Sequence, residues 1–203
     1  SLSGIAGVTR PAYGCSAPRG RSSGFVMGRS RGVVDRDVID VIVDFRRVLN
    51  EARPDQCPDI AAEYLCDLFD GSATALNLMD YGNVRFQTIR NVGHLSSTER
   101  QRPIGEYYPF SDFPFSAQQL AHGGAYRAAL ADPSCPPEYR ELLGGMRRTD
   151  CLGAPIRHNG KAIGELWVTR NTGRSFTDAE ENLAVACGAT LARFFRPTWA
   201  IAG

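Results

Sequence analysis

The chain has 203 residues, 43% hydrophobic and 22% charged, with a net charge of +1, the balance of an ordinary soluble domain with one sizeable core. No run of 18 apolar residues occurs, so no membrane helix is expected, and the opening Ser-Leu-Ser-Gly-Ile-Ala-Gly is too short and polar for a signal peptide. Residues 1–32 carry Arg10, Arg19, Arg21, Arg29 and Arg31 and no acid, leaving 18 basic against 22 acidic residues in the remainder. Neither part concentrates basic residues as a nucleic-acid domain would.

The six cysteines include no Cys-x-x-Cys pair and do not read as a disulfide framework; a reduced, cytoplasmic setting is expected.

Residues 1–32, rich in Gly, Ser, Pro and Arg, read as a disordered basic tail. Met27 within it is an alternative start. Val34, Val38, Val41, Ile42, Phe45, Val48 and Leu49 recur at three- and four-residue spacing, which predicts a first helix ending before Pro54. Ile39 and Val43 widen its apolar face, enough to cover a sheet and still meet a second chain. A second helix is expected with Asp59 as cap and Ile60, Tyr64, Leu65, Leu68 and Phe69 on its apolar side, ended by Gly71. Ala73–Met79 and Val84–Ile89 read as two strands joined by the turn Asp80-Tyr81-Gly82-Asn83.

The following sixty residues are irregular. Gly105 to Phe115 gathers five aromatics around two prolines and Asp112. Pro114 can open a short helix to His122. Ala125–Leu130 is a short strand or helix, Asp132 to Pro137 a proline loop, and Glu138–Leu143 a short helix closed by Gly144-Gly145. A connection this long is usually functional, and its aromatic content predicts that it walls a cavity.

Asp150 to Arg170 then reads as a hairpin turning at His158-Asn159-Gly160-Lys161. Leu152, Ala154 and Ile156 alternate with Cys151, Gly153, Pro155 and Arg157. On the return strand Ala162, Gly164, Leu166 and Val168 alternate with Ile163, Glu165, Trp167 and Thr169. Apolar residues on both faces place this hairpin mid-sheet. Thr177 with Glu180 three residues later forms a capping box, Phe176 suits a staple, and a helix to about Phe195 carries Leu183, Cys187, Thr190, Leu191 and Phe194. Pro197 stops it, and 197–203 is a C-terminal tail.

This order predicts an α+β fold: a central antiparallel β-sheet of five or six strands, N- and C-terminal helices on one face, and the helix/loop excursion over the other. Over residues 33–196 the sequence resembles a GAF domain. Ala154-Pro155-Ile156, Gly160 and Ile163-Gly164-Glu165-Leu166 match the family's hairpin. Asn171 and Phe176-Thr177-Asp178-Ala179-Glu180-Glu181 resemble its Asn-Lys … Phe-x3-Asp-Glu signature, with Thr172 in place of Lys and Glu180 in place of Asp, so that Arg174 would have to supply the ion pair. Tyr108-Pro109, Asp112-Phe113-Pro114 and Asp132-Pro133 look like GAF domains found with actinobacterial cyclic di-GMP signalling proteins. The resemblance implies a non-catalytic sensory module in signal transduction, binding an unidentified small molecule and forming a homodimer through helices Val34–Leu49 and Leu183–Phe195. No GGDEF or EAL sequence occurs, and no cofactor is named by the sequence.

The expected pocket has Tyr107, Tyr108, Phe110 and Phe113 as aromatic walls and Asp112 as polar anchor. Glu165, Trp167 and Cys151 come from the central hairpin, with Arg147 and Arg148 at a lip that would favour an anion. Two other readings remain open. Cys135 and Cys151 could serve a GAF-fold methionine sulfoxide reductase as nucleophile and resolving thiol, or the domain could be a degenerate dimerisation module. His94, His122 and His158 have no metal-site spacing; His122 is the best-placed axial ligand for a haem.

Overall fold

The computed structural model describes residues 37–93 and 105–195. Six strands form one antiparallel sheet in the order β3-β2-β1-β6-β5-β4: β1 (Ala73–Asp80), β2 (Arg85–Gly93), β3 (Tyr107–Pro109), β4 (Tyr126–Ala129), β5 (Asp150–His158) and β6 (Lys161–Arg170). Helices α1 (Val38–Glu51), α2 (Cys57–Leu68) and α5 (Asp178–Leu191) cover one face, and α3 (Pro114–Ala121) and α4 (Pro137–Gly145) cover the other. The expected tails, Val34 and His94 lie outside the described residues.

The hairpin β5–β6 is central, as its two-sided apolar pattern predicts. Asn159 and Gly160 both have positive φ, 49° and 80°, the geometry of a tight two-residue hairpin turn. Leu152, Ala154, Ile156, Leu166 and Val168 join the core under the helices, whereas Cys151, Ala162 and Trp167 join the opposite one. Strict alternation assigns Ala162 to the first group. The ladder corrects this: Ile156 pairs with Gly164 and Arg157 with Ala162, so Ile163 is an extra residue that returns Ala162 to the other face. Ile89 is the corresponding extra residue in β2, opposite Leu76 and Asn77.

Other expectations shift for local reasons. Asp59 is not the cap of α2; Gln56 precedes the helix, and Asp59 in its first turn pairs with Arg90 at 2.9 Å. Val84 belongs to the turn, with φ 53°, and β2 begins at Arg85. Tyr107–Pro109, within the stretch read as irregular, is an edge strand on β2. Gly144 and Gly145 are the last residues of α4 rather than its terminator.

Asp37 caps α1 by accepting from the Ile39 amide at 2.8 Å. This helix packs on α2 and α5, burying Val41, Phe45 and Leu49. Val38, Ile39 and Val43 stay exposed, at 46%, 69% and 61%.

The junction of β6 and α5 is locked by a buried ion pair. Glu180 accepts from Arg170 at 2.6 Å and Arg174 at 2.8 Å, and from the Thr177 amide and hydroxyl at 2.9 and 3.0 Å. Arg170, fully buried, also donates to the Phe69 carbonyl at the end of α2. The capping box is present. The expected staple is not: the fourth helical residue is Glu181, and Phe176 instead lies under the Arg170 guanidinium, 3.9 Å from its ring centroid, a cation–π contact.

Candidate functional site

The sheet face opposite α1, α2 and α5 carries a second core of different chemistry. Its floor comes from three adjacent strands: Asn77 on β1, Phe86 on β2, and Glu165 and Trp167 on β6. Its walls are Tyr108 on β3, Tyr126 on β4, Phe113 and Ser116 at the start of α3, and Tyr139 and Leu142 on α4. The space they enclose is about 20 Å³, room for about one water molecule.

A chain of polar groups runs along the floor. Glu165, 4% exposed, accepts from Asn77 Nδ2 at 2.7 Å and from the Tyr126 hydroxyl at 2.6 Å. Tyr126 accepts in turn from the Tyr139 hydroxyl at 2.7 Å, and Thr88 donates to Asn77 Oδ1 at 3.1 Å. The network therefore ties β2, β1, β6 and β4 to helix α4. Burial pushes the Tyr126 and Tyr139 phenols well above their ordinary value, with the Glu165 charge adding to it; both remain protonated donors at neutral pH. Gly153 on β5 makes room for Tyr126, because a side chain at 153 would overlap its ring.

The rings are set as walls rather than as a stack. Tyr126 and Tyr139 have centroids 5.4 Å apart and planes tilted 60°. Phe113 meets Tyr139 at 6.0 Å and 61°, and Tyr108 meets Phe113 at 6.3 Å and 73°. Such edge-to-face contacts add modest stability beyond burial, about 0.5–1.5 kcal/mol each.

Of the residues picked from sequence, the structure brings Tyr108, Phe113, Glu165 and Trp167 together around this cavity. Six others lie elsewhere. Tyr107 is 45% exposed, with Arg85 3.6 Å from its ring centroid: on a strand, neighbours face opposite ways, so Tyr107 turns out where Tyr108 turns in. Phe110 packs on Phe86 and Tyr81 behind the cavity wall. Asp112 is exposed in a single 3-10 turn and is no anchor for the cavity. Arg147 is exposed with φ 52°, and Arg148, though buried, is not among the described residues that line the cavity.

Cys151 is fully buried behind Trp167. Burial pushes its thiol strongly up, outweighing hydrogen bonds to the sulfur from the Trp167 indole and the Ala128 amide. Cys135 shares the same apolar cluster, and burial raises its thiol too. Both thiols are buried in this arrangement, and a thiol raised by burial is a weaker nucleophile than an exposed thiolate. A cleft of about 630 Å³ runs outside β4 between α3 and the start of α5, and Cys151 lies at its base. His122 ends α3 with Nδ1 2.8 Å from the Gln118 carbonyl, exposed and away from the cavity. No metal-binding cluster occurs among the described residues.

Sequence reasoning missed Asn77, Phe86, Ser116, Tyr126, Tyr139 and Leu142. Asn77 left a signal, a polar residue interrupting the buried strand Ala-Thr-Ala-Leu-Asn-Leu-Met. Tyr126 and Tyr139 left none, since their role depends on a meeting of β4 with α4.

A curled antiparallel sheet, helices on one face and a short-helix cover over a polar-floored aromatic cavity on the other, defines an α+β fold of the kind used by sensory domains. The GAF domain family profile matches residues 53–193, and the chain belongs to that family, whose members are generally sensory or regulatory modules. The GAF domain of a phosphoenolpyruvate-protein phosphotransferase (ptsP) from Coxiella burnetii is 19% identical, with a TM-score of 0.61 over 77% of this chain and 90% of that one. Its counterpart from Acinetobacter is 15% identical, with a TM-score of 0.61 over 81% and 96%. The chromophore binding domain of Stigmatella aurantiaca phytochrome P1 is 14% identical, with a TM-score of 0.64 over 83% of this chain and 63% of that one. At these identities the likeness is one of fold. No curated protein matches the chain. No helix of the described residues is long and apolar enough to cross a membrane.

Proposed function

We propose that this GAF domain is a non-catalytic sensor that binds a small molecule in the cavity floored by Asn77, Glu165 and Trp167 and passes its state to a homodimer interface. The observation that carries the reading is the Tyr139–Tyr126–Glu165 chain of hydrogen bonds. It joins a cover helix to the central strand, so a ligand reaching Glu165 must break or reuse it. Glu165 stands on β6, and five residues further on Arg170 holds the start of α5 through Glu180. A change at the floor thus has a short covalent route to a terminal helix. Ligand binding biases the output only if the two arrangements of that route have different affinities.

The exposed Val38, Ile39 and Val43 of α1, beside α5, are the surface assigned to the dimer. A role beside cyclic di-GMP signalling modules is the finer form of the reading, supported by the Tyr108-Pro109 and Asp112-Phe113-Pro114 resemblance. Native mass spectrometry of freshly purified protein tests the sensor function. The expected result is a bound mass above the 22.1 kDa chain that is lost on denaturation. A protein that carries nothing, and whose melting temperature no metabolite in a broad panel shifts, would sink it.

A further inference from the structure

We infer that the cleft outside β4 is a docking site for an extended peptide segment bearing a lysine or arginine, which joins the sheet as a further strand. The site is separate from the inner cavity, and the inference does not depend on what that cavity binds. An open sheet edge, a buried carboxylate and a space of ordinary ligand size meet there.

β4 is the last strand of the sheet, so one of its sides is an edge. The Leu130 amide donates to the Thr149 carbonyl at 2.8 Å, one step beyond the β4–β5 ladder. In an antiparallel pair the groups that face the partner recur at every second residue. Tyr126, Ala128 and Leu130 therefore turn N–H and C=O toward β5, and Arg127 and Ala129 turn theirs outward. Ala129 uses its outward groups within the chain: its carbonyl accepts from the Asp132 amide at 3.0 Å, and its amide meets the Cys135 sulfur. The backbone N–H and C=O of Arg127 have no partner among the described residues. Its side chain does not cover them, being drawn back onto α5 by the Phe176 carbonyl at 2.8 Å, Asp178 at 2.6 Å and Glu181 at 2.8 Å. A donor and an acceptor on one edge residue are matched by one residue of an antiparallel strand, which exchanges two hydrogen bonds with it.

Asp150 adds side-chain recognition. It is 3% exposed and lines the cleft, and its Oδ1 accepts from the Ser175 hydroxyl at 2.8 Å. That neutral hydroxyl is its one donor among the described residues, whereas a charged N–H makes a stronger bond to a carboxylate. Asp150 stands directly opposite Ala129, whose methyl group leaves the way across β4 open. From a strand beside β4 the distance is two strand spacings, about 9–10 Å, which an extended lysine or arginine spans. The base belongs two residues before the one paired with Arg127, because the added strand runs against β4. The peptide residue between these two faces the other way, toward Phe115 and Gln119 of α3, and an apolar side chain suits it. The cleft, about 630 Å³, lies within the roughly 300–1,000 Å³ of ordinary ligand sites. Phe176 and Glu181 also line it, so a docked strand touches the start of α5.

Calorimetric titration of the full chain with acetyl-Val-Lys-Val-Thr-Val-amide tests this, the threonine being the residue paired with Arg127. Binding is expected. N-methylation of the threonine removes the donor to the Arg127 carbonyl and should weaken binding about tenfold or more; N-methylation of the central valine, whose amide faces away, should not. Glutamine in place of lysine should also weaken it about tenfold. Asp150→Asn, checked for folding by its melting curve, should bind the lysine and glutamine peptides alike, a loss of discrimination that a merely structural role of Asp150 would not produce. The peptide series on the parent chain decides the matter even where this variant fails to fold. No binding at millimolar peptide, or equal binding of the threonine-methylated peptide, overturns strand addition. Equal binding of the lysine and glutamine peptides by the parent chain overturns the choice of a basic segment. A peptide that binds only by splitting a dimer, followed by sedimentation, assigns the edge to a second copy of the chain and overturns the peptide as its occupant.

Discussion

Glu180 shows how one carboxylate can fix an element. Its burial works to raise the pKa, but hydrogen bonds from Arg170 and Thr177 and the Arg170 charge overcome this, leaving it below the ordinary 4.5. A depressed folded-state pKa contributes stability above the unfolded value, lost as pH falls through the folded one. The unfolding midpoint should therefore fall as the pH drops below about 4.5, a trend much reduced in Glu180→Gln when melting is followed by circular dichroism between pH 7 and 3. The substitution leaves the Arg170 guanidinium buried without its counter-charge and should cost roughly 3–5 kcal/mol at pH 7 by urea denaturation. Arg170 was not legible in the sequence: an arginine at a strand end reads as surface, and nothing local announces that the Phe69 carbonyl needs a donor. Arg174, by contrast, was legible as a substitute for the missing Lys, and it does reach Glu180. Burial decides the cysteines as well. The Cys151 thiol is held protonated, and Cys187 is pushed up to about 12 by burial. Both should react with iodoacetamide at least about a hundredfold more slowly in native than in urea-unfolded protein, measured by peptide mass mapping. Native-rate labelling of Cys151 would reopen the thiol chemistry that its enclosure argues against.

At the scale of elements, β5 and β6 were readable because period-2 alternation and Asn-Gly turn chemistry agree. The error at Ala162 arose because a bulge adds a residue without any change in composition. The excursion was readable as a wall but not residue by residue. Tyr107 and Tyr108 are adjacent and chemically equal, and only the pairing of β3 on β2 turns one inward. The packing of α5 on β5 offers a sharper test. At Gly188 a Cβ would collide with the Pro155 carbonyl, a backbone atom with little freedom to retreat. Gly188→Ala improves helix propensity, by about 1 kcal/mol for an exposed site, yet here it should destabilise the domain by about 1–3 kcal/mol through overpacking. Chemical denaturation of the pure variant reads the sign directly, and a stabilised Gly188→Ala protein would show that α5 does not sit this close to β5.

For the whole molecule, the two faces of the sheet divide the labour. The helix side holds a continuous apolar core from Phe45 and Leu65 through Ile156 and Leu166 to Leu183 and Leu191. The other side trades part of its packing for Glu165, Asn77 and two buried phenols. The proposed link between them is β6 and the Arg170–Glu180 lock, and it matters only if the outer helices meet a second chain. Helix α1 carries its polar ion pairs, Arg47 with Asp44 and Glu51, while Val38, Ile39 and Val43 remain exposed near its start. Charges placed there should leave the fold intact, since exposed substitutions usually change stability by no more than about 0.5 kcal/mol. In a dimer centred on this patch, however, each charge would be carried into the interface twice by symmetry. Sedimentation equilibrium should then find the parent chain dimeric and the double variant Ile39→Glu/Val43→Glu monomeric, its dimer weakened by about a hundredfold or more, with an unchanged melting curve at low concentration. A variant as dimeric as the parent would remove α1 from the interface. A parent chain monomeric at every concentration would leave the cavity with no terminal-helix output, and the signal from Glu165 would have to leave through the cleft outside β4 instead.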